Sequence, residues 1–236
     1  MAQTAGEIGG RGARGTRGGS AALAGEIGSG VFTRDQTPAE VVRAVGAQGP
    51  LHWDDLGEDD RALGIAKLRL AGVYDDRQEG YFMLRTRVPG GRIDAAQLEV
   101  VAGVVADFAL RAQGEEGPDQ FAEITTRQDL QVHWIRFEAL PEIWRRFHAA
   151  GLSSQHACGD TLRNVTSCPV DGIDRDAVLD AEPVLGALGQ LALQDARLTA
   201  FLPRKFKVAV TGCRTDCVSA RVHDLAFTPA RLDETL

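Results

Sequence analysis

Nothing in this sequence is apolar for long. No run approaches the ~20 residues that a membrane-spanning helix requires, so a membrane partner is not expected. Basic residues are in deficit: 26 Lys and Arg against 33 Asp and Glu leave a formal charge of −7. That balance argues against a general affinity for nucleic acid or acidic surfaces, and any local cationic cluster needs a local explanation. Cysteine is scarce, with four residues, and the N-terminus has no apolar signal core. The expected compartment is a reducing cytoplasm, where thiols stay free or bind metal.

What remains is an ordinary globular composition, 44% hydrophobic and 25% charged, enough for one large domain or two small ones. Residues 1–36 are expected to form a disordered Gly/Arg-rich arm, because GGRGARGTRGG has little to bury. The arm has too few arginines, and no aromatics in its glycine run, to suggest an RNA partner. A helical or extended segment is expected over 37–74. In it Thr37 can cap a helix, with Pro38 at its first position and Glu40 closing a capping box.

The pattern sharpens over 75–152. YFMLRTRV (81–88) alternates as a strand, with Phe82, Leu84, Thr86 and Val88 on one face and Met83, Arg85 and Arg87 on the other. A helix follows, capped by Asp94 and Gln97, stapled by Ile93 and Leu98, and stopped by Gly114; its buried stripe is Leu98, Val101, Val104, Val105 and Phe108. FAEITT (121–126) and DLQVHWIRF (129–137) read as strands, the latter with Leu130, Val132 and Trp134 opposite Gln131, His133 and Ile135. A last helix begins at Pro141 and ends at Gly151. The order β-α-β-β-α predicts an α+β fold, most of a ferredoxin-like unit with its helices on one face of an antiparallel sheet.

The face away from the helices then carries Arg85, Arg87, Gln131 and His133, and the TTRQ connection adds Arg127. CGDTLRNVTSCP brings Arg163 and Asn164; FLPRKFKVAV brings Arg204, Lys205 and Lys207, the two lysines sharing one side if the stretch is a strand. No acid is read as their partner. Half-buried cations without acids imply a polyanionic ligand, with arginine forks suited to carboxylates.

GYFMLRTRVPGG, TTRQDLQVHW, PEIWRRFHAAGL, CGDTLRNVTSCPVDG and LPRKFKVAVTG, in this order, resemble the siroheme-dependent nitrite and sulfite reductases of the ferredoxin-dependent assimilatory type. The resemblance implies a ferredoxin-like half domain followed, over 153–236, by the first part of the siroheme/[4Fe–4S]-type α/β domain. It implies six-electron reduction of nitrite to ammonia or sulfite to sulfide, with electrons from ferredoxin. By position, Arg85, Arg163, Lys205 and Lys207 would surround the substrate anion. Arg127, Gln128, Gln131 and His133 would pack around siroheme, joined by Arg87, Asn164 and Arg204. Lys207 leans towards sulfite, whereas VAVTGCRTDCVSARVHDLAFTPA looks more like bacterial nitrite reductases; both substrates stay open.

The family's chains carry two homologous halves, with the cluster's usual cysteine ligands in the second. The motifs here are those of the first half, so the expectation is a half-length chain or subunit, acting as a homodimer or with a partner chain; the alternative is a non-catalytic half that binds siroheme or a partner. Cys213 and Cys217 in TGCRTDC, with Cys168, correspond by pseudo-repeat to the cluster cysteines. They are either vestigial thiols or a metal site, and a zinc site of Cys213, Cys217 and His223 lacks a fourth ligand. Cys158 is expected near the anion site.

Overall fold

Two β-sheets organise the computed structural model, which describes residues 30–49, 51–109, 120–195 and 199–230. The first sheet is antiparallel, with β1 (Val73–Asp75), β2 (Tyr81–Thr86), β3 (Ala122–Ile124) and β4 (Leu130–Arg136) in the order β1-β2-β4-β3. The second is parallel, with β5 (Thr166–Ser167), β6 (Val208–Val210) and β7 (Leu225–Phe227) in chain order. Helices α1 (Pro38–Ala47) and α2 (Glu58–Leu68) precede the first sheet, α3 (Ala95–Phe108) joins β2 to β3, α4 (Leu140–Ala149) follows β4, and α5 (Glu182–Gln194) lies between β5 and β6.

β2 and β3 run the same way with β4 inserted between them. This is the split β-α-β of a ferredoxin-like unit. Its fourth strand is β1, which enters from the N-terminal side of the unit as a hairpin with β2. The helix starts follow from local chemistry. Thr37 accepts from the Glu40 amide while the Glu40 carboxylate accepts from the Thr37 amide at 2.7 Å, and Asp94 and Gln97 repeat the device at α3. Gly151, at φ 72°, turns the chain out of α4.

The larger core joins β2 and β4 to α1, α3 and α4 through Leu84, Ile135, Val41, Val104, Ile143 and Phe147. Each such side chain contributes roughly 1.5–3 kcal/mol by leaving water. Most of the arm expected over 1–36 lies outside the described residues, but its end is packed: Val31 and Phe32 are buried, and the Phe32 ring lies 6.4 Å from that of Phe137. A smaller core gathers Val165, Leu185, Ala192, Val208 and Val210 beneath the parallel sheet.

Three local expectations change. Leu98 is exposed, so the α3 stripe narrows to Val101 and Val104, with Val105 and Phe108 at its margin; Gly114 lies outside the described residues. On β4 the inward residue is Ile135, because a bulge between the Phe82–Ile135 and Leu84–Val132 pairs adds one residue on that strand, and Trp134 adopts φ 57° there. The segment carrying Arg204, Lys205 and Lys207 is an exposed approach to β6, not a strand, and Phe206 makes only a single bridge with Leu162.

Candidate active site

The cations do have an acid among them. Asp129, at the head of β4, is 1% exposed. Burial pushes its carboxyl up to about 6, against the pull of Arg85, Arg163, Arg87 and Arg127. The pull is through space: Asp129 Oδ1 has no hydrogen-bond donor. One carboxylate, difficult to ionise, therefore faces four guanidiniums contributed by β2, the β3–β4 turn and the loop before β5.

Two of those guanidiniums, Arg87 and Arg127, are held by backbone carbonyls. Arg87 is buried; its Nη1 donates to Leu162 O at 3.1 Å and its Nη2 has no partner. Burial first, then Arg163 and Arg127, lower it to about 10, while Asp129 opposes the shift. Arg127 donates Nη2 to Asn164 O at 2.6 Å; burial lowers its pKa, with Asp129 opposing. The Nε atoms of Arg127 and of buried Arg163 also lack partners. Three buried guanidinium nitrogens around one acid are thus left without a hydrogen-bond acceptor, which is costly unless something else satisfies them.

The TTRQ turn locks this cluster to the second sheet. Gln128, held at φ 61°, donates to Ser167 O at 2.6 Å and accepts from Ser167 N at 2.9 Å. Buried Asn164 donates to Val88 O at 2.9 Å and Arg127 O at 3.0 Å. Both side chains act as braces between segments distant in sequence.

The remaining expected residues divide. Arg85 donates both Nε and Nη2 to Gln131 Oε1, and Gln131 donates to Glu123 at 3.0 Å. His133 faces Asp76 at 3.1 Å and Glu123 at 3.4 Å. Lys207 lines a cleft of about 580 Å³ with Arg127, Gln128, Ser167, Cys217 and His223. Arg204 and Lys205 are exposed on the neighbouring loop. Cys158 is fully buried, and burial pushes its thiol up to about 11 against Arg85 and Arg163.

Sequence reasoning missed Asp129, although it stands two residues after Arg127 and opens a strand. His156, which has no ligand spacing in the sequence, is a core residue, fully buried and lowered to about 4 by burial and then Arg87. The Thr199 backbone opposes that shift, but no well-formed hydrogen bond reaches either ring nitrogen.

At the far end of the cleft, Cys168, Cys213 and Cys217 bring their Sγ atoms within 4.8 Å of one another, all as free thiols. Loss of solvation, then the Cys168 thiol beside it, raises Cys217 to about 11. His223 does not join them. Its Nε2 faces Arg127 Nη1 at 3.1 Å and Thr166 Oγ1 at 3.3 Å, so the third partner of the sequence pair is Cys168.

A ferredoxin-like sheet, a parallel sheet and a buried guanidinium cluster between them define an α+β protein with a thiol group at its side. Residues 74–150 match the nitrite/sulfite reductase ferredoxin-like half domain, and residues 158–236 match the nitrite and sulphite reductase 4Fe-4S domain. The chain is 35% identical over 182 residues to an assimilatory ferredoxin-dependent nitrite reductase of Haloferax mediterranei, covering 76% of this chain and 31% of that protein. It is 34% identical over 178 residues to a ferredoxin sulfite reductase of Mycolicibacterium paratuberculosis, covering 68% and 30%. The solved NirA protein of Mycobacterium tuberculosis superposes with a TM-score of 0.64 at 30% identity, over 81% of this chain and 36% of that one. The chain belongs to the nitrite/sulfite reductase family of oxidoreductases. It spans about a third of the length of these relatives.

Proposed function

We propose that this chain forms the anion-facing half of a siroheme-dependent reductase that takes nitrite to ammonia or sulfite to sulfide with electrons from ferredoxin. The carrying observation is the set of buried guanidinium nitrogens of Arg87, Arg127 and Arg163 that have no partner around Asp129. The carboxylates of siroheme fit donors of this kind, since a hydrogen bond from a guanidinium to a carboxylate is charge-assisted. Siroheme, when bound, supplies the iron at which the anion is reduced.

The chain's own residues recruit and hold charge. Arg87 and Arg127, braced by Asn164 and Gln128 and with Gln131, His133 and Arg204 at the periphery, would receive the macrocycle. Arg85, Arg163, Lys205 and Lys207 would attract the small anion and stabilise negative charge growing on its oxygens, with Arg163 best shielded from water. Asp129, with its carboxyl raised to about 6, can hold a proton inside the cationic cluster at mildly acidic pH.

The [4Fe–4S] cluster is a different matter. The chain has four cysteines, and Cys158 stands apart from the group of three. The residues present do not fit a cluster held by four thiolates. This favours a subunit working with a partner chain, or with a second copy, that brings cluster ligands; the reading fits a cytoplasmic assembly.

The test is the full chain purified from a siroheme-producing host and titrated with nitrite and with sulfite in the visible range. Tetrapyrrole bands that shift with either anion, and cease to shift in Arg163→Ala, support the reading. A colourless protein refutes siroheme binding by this chain without a cluster-bearing partner, and bands indifferent to both anions refute the substrate assignment.

A further inference from the structure

The thiol group occupies a defined place in the parallel sheet. Cys168 directly follows β5, and Cys213 and Cys217 lie on the loop that leaves β6. Ligand sites of parallel sheets form at these carboxyl ends of adjacent strands. Cys168 and Cys213 are buried, whereas Cys217 is exposed as a residue and lines the cleft. Cys213 is oriented from both sides: its amide donates to Thr211 Oγ1 at 3.3 Å and its thiol points to Thr215 O at 3.1 Å.

Spacing decides what such a group can hold. Around a single ion with Zn–S bonds of about 2.3 Å, tetrahedral sulfurs stand about 3.8 Å apart. Sγ atoms already within 4.8 Å need only close slightly on an ion. In a four-iron cluster each thiolate binds a different iron, so its ligand sulfurs are separated by an iron–iron edge as well as by the bonds. Three sulfurs this close, with no fourth thiol in reach, suit one soft ion and not a cluster.

We infer that Cys168, Cys213 and Cys217 form a mononuclear zinc-class site, three thiolates with a fourth position open to the cleft shared with Lys207. This inference is independent of the siroheme reading. Binding converts three S–H groups to thiolates and releases up to three protons to solvent, with no change of oxidation state. The ion would pin the end of β5 to the β6 loop.

The experiment loads the full, tag-free chain, reduced and stripped of metal, with Zn2+ and separately with Co2+. Accessible thiols counted in unfolding-free conditions should fall when Zn2+ is added and return with a chelator. Co2+ should give sulfur-to-cobalt charge-transfer absorption with the strong visible bands of a tetrahedral site, at one ion per chain. Cys217→Ser, at the exposed ligand, should weaken Co2+ uptake at least tenfold. Octahedral-type cobalt spectra, no uptake by the wild-type chain, or iron with matching acid-labile sulfide per chain would each overturn the inference. So would a Cys217→Ser chain, folded by circular dichroism, that binds Co2+ unchanged.

Discussion

Arg127 and Asn164 hold each other twice: the guanidinium donates to Asn164 O at 2.6 Å, and the Asn164 amide donates back to Arg127 O at 3.0 Å. One residue belongs to the turn before β4 and the other to the loop before β5. The two sheets are therefore fastened at the point where the unpaired cations gather, so that loosening this fastening should disturb stability and anion binding together.

Replacing Asn164 with Ala leaves the buried carbonyls of Val88 and Arg127 without their side-chain donor. We expect a loss of roughly 1–3 kcal/mol, read as a lower urea midpoint at unchanged slope. An unchanged midpoint would show that the brace is dispensable.

Asp129 sets a pH dependence whose sign is opposite to that of most acids. Its folded pKa of about 6 lies above the ordinary 3.8, so its contribution is present below about pH 4 and is lost as pH rises through about 6. The loss is on the order of 3 kcal/mol. His156, lowered to about 4, works the other way over an overlapping range, because the unfolded ring binds its proton more readily. The clean measurement is the stability of Asp129→Asn minus that of the wild type, which should grow between pH 4 and pH 6. A flat difference would mean that the carboxyl titrates normally.

Lys207→Ala, in an assembly competent for turnover, should slow reduction on the order of 10²-fold while siroheme absorbance is retained. Loss of the absorbance would make Lys207 a cofactor-holding residue instead.

Gly72 sits at φ 86°, where a Cβ would run into Ser154 O and lie 2.8 Å from Arg85 O. Gly72→Ala should lower the melting temperature by several degrees and weaken anion binding through displacement of β2. Wild-type values for both would show that the β1 entry yields freely.

Local signals were readable in the sequence, and non-local ones were not. Thr37 with Glu40 and Asp94 with Gln97 announce their helices because a capping box is complete within four residues. The alternation of β2 placed Phe82, Leu84 and Arg85 correctly for the same reason. Trp134 defeats the alternation because one extra backbone residue in a bulge reverses every side chain beyond it. The arginine cluster was legible as a list of cations, but Asp129 looks like a turn residue until β4 carries it inward. Cys168 joins Cys213 and Cys217 only when β5 and β6 pair, which spacing along the chain does not reveal.

The three idle nitrogens of Arg87, Arg127 and Arg163 have a consequence for the lifetime of the chain. Each buried donor left empty weighs on the native state by roughly 1–3 kcal/mol, and an anion that fills several of them returns stability in proportion to its concentration over its dissociation constant. If the proposed anion fills them, chains made faster than it arrives would open more often and meet proteases in the open form. Protein abundance would then follow ligand supply without any change in synthesis, a form of quality control written into three side chains.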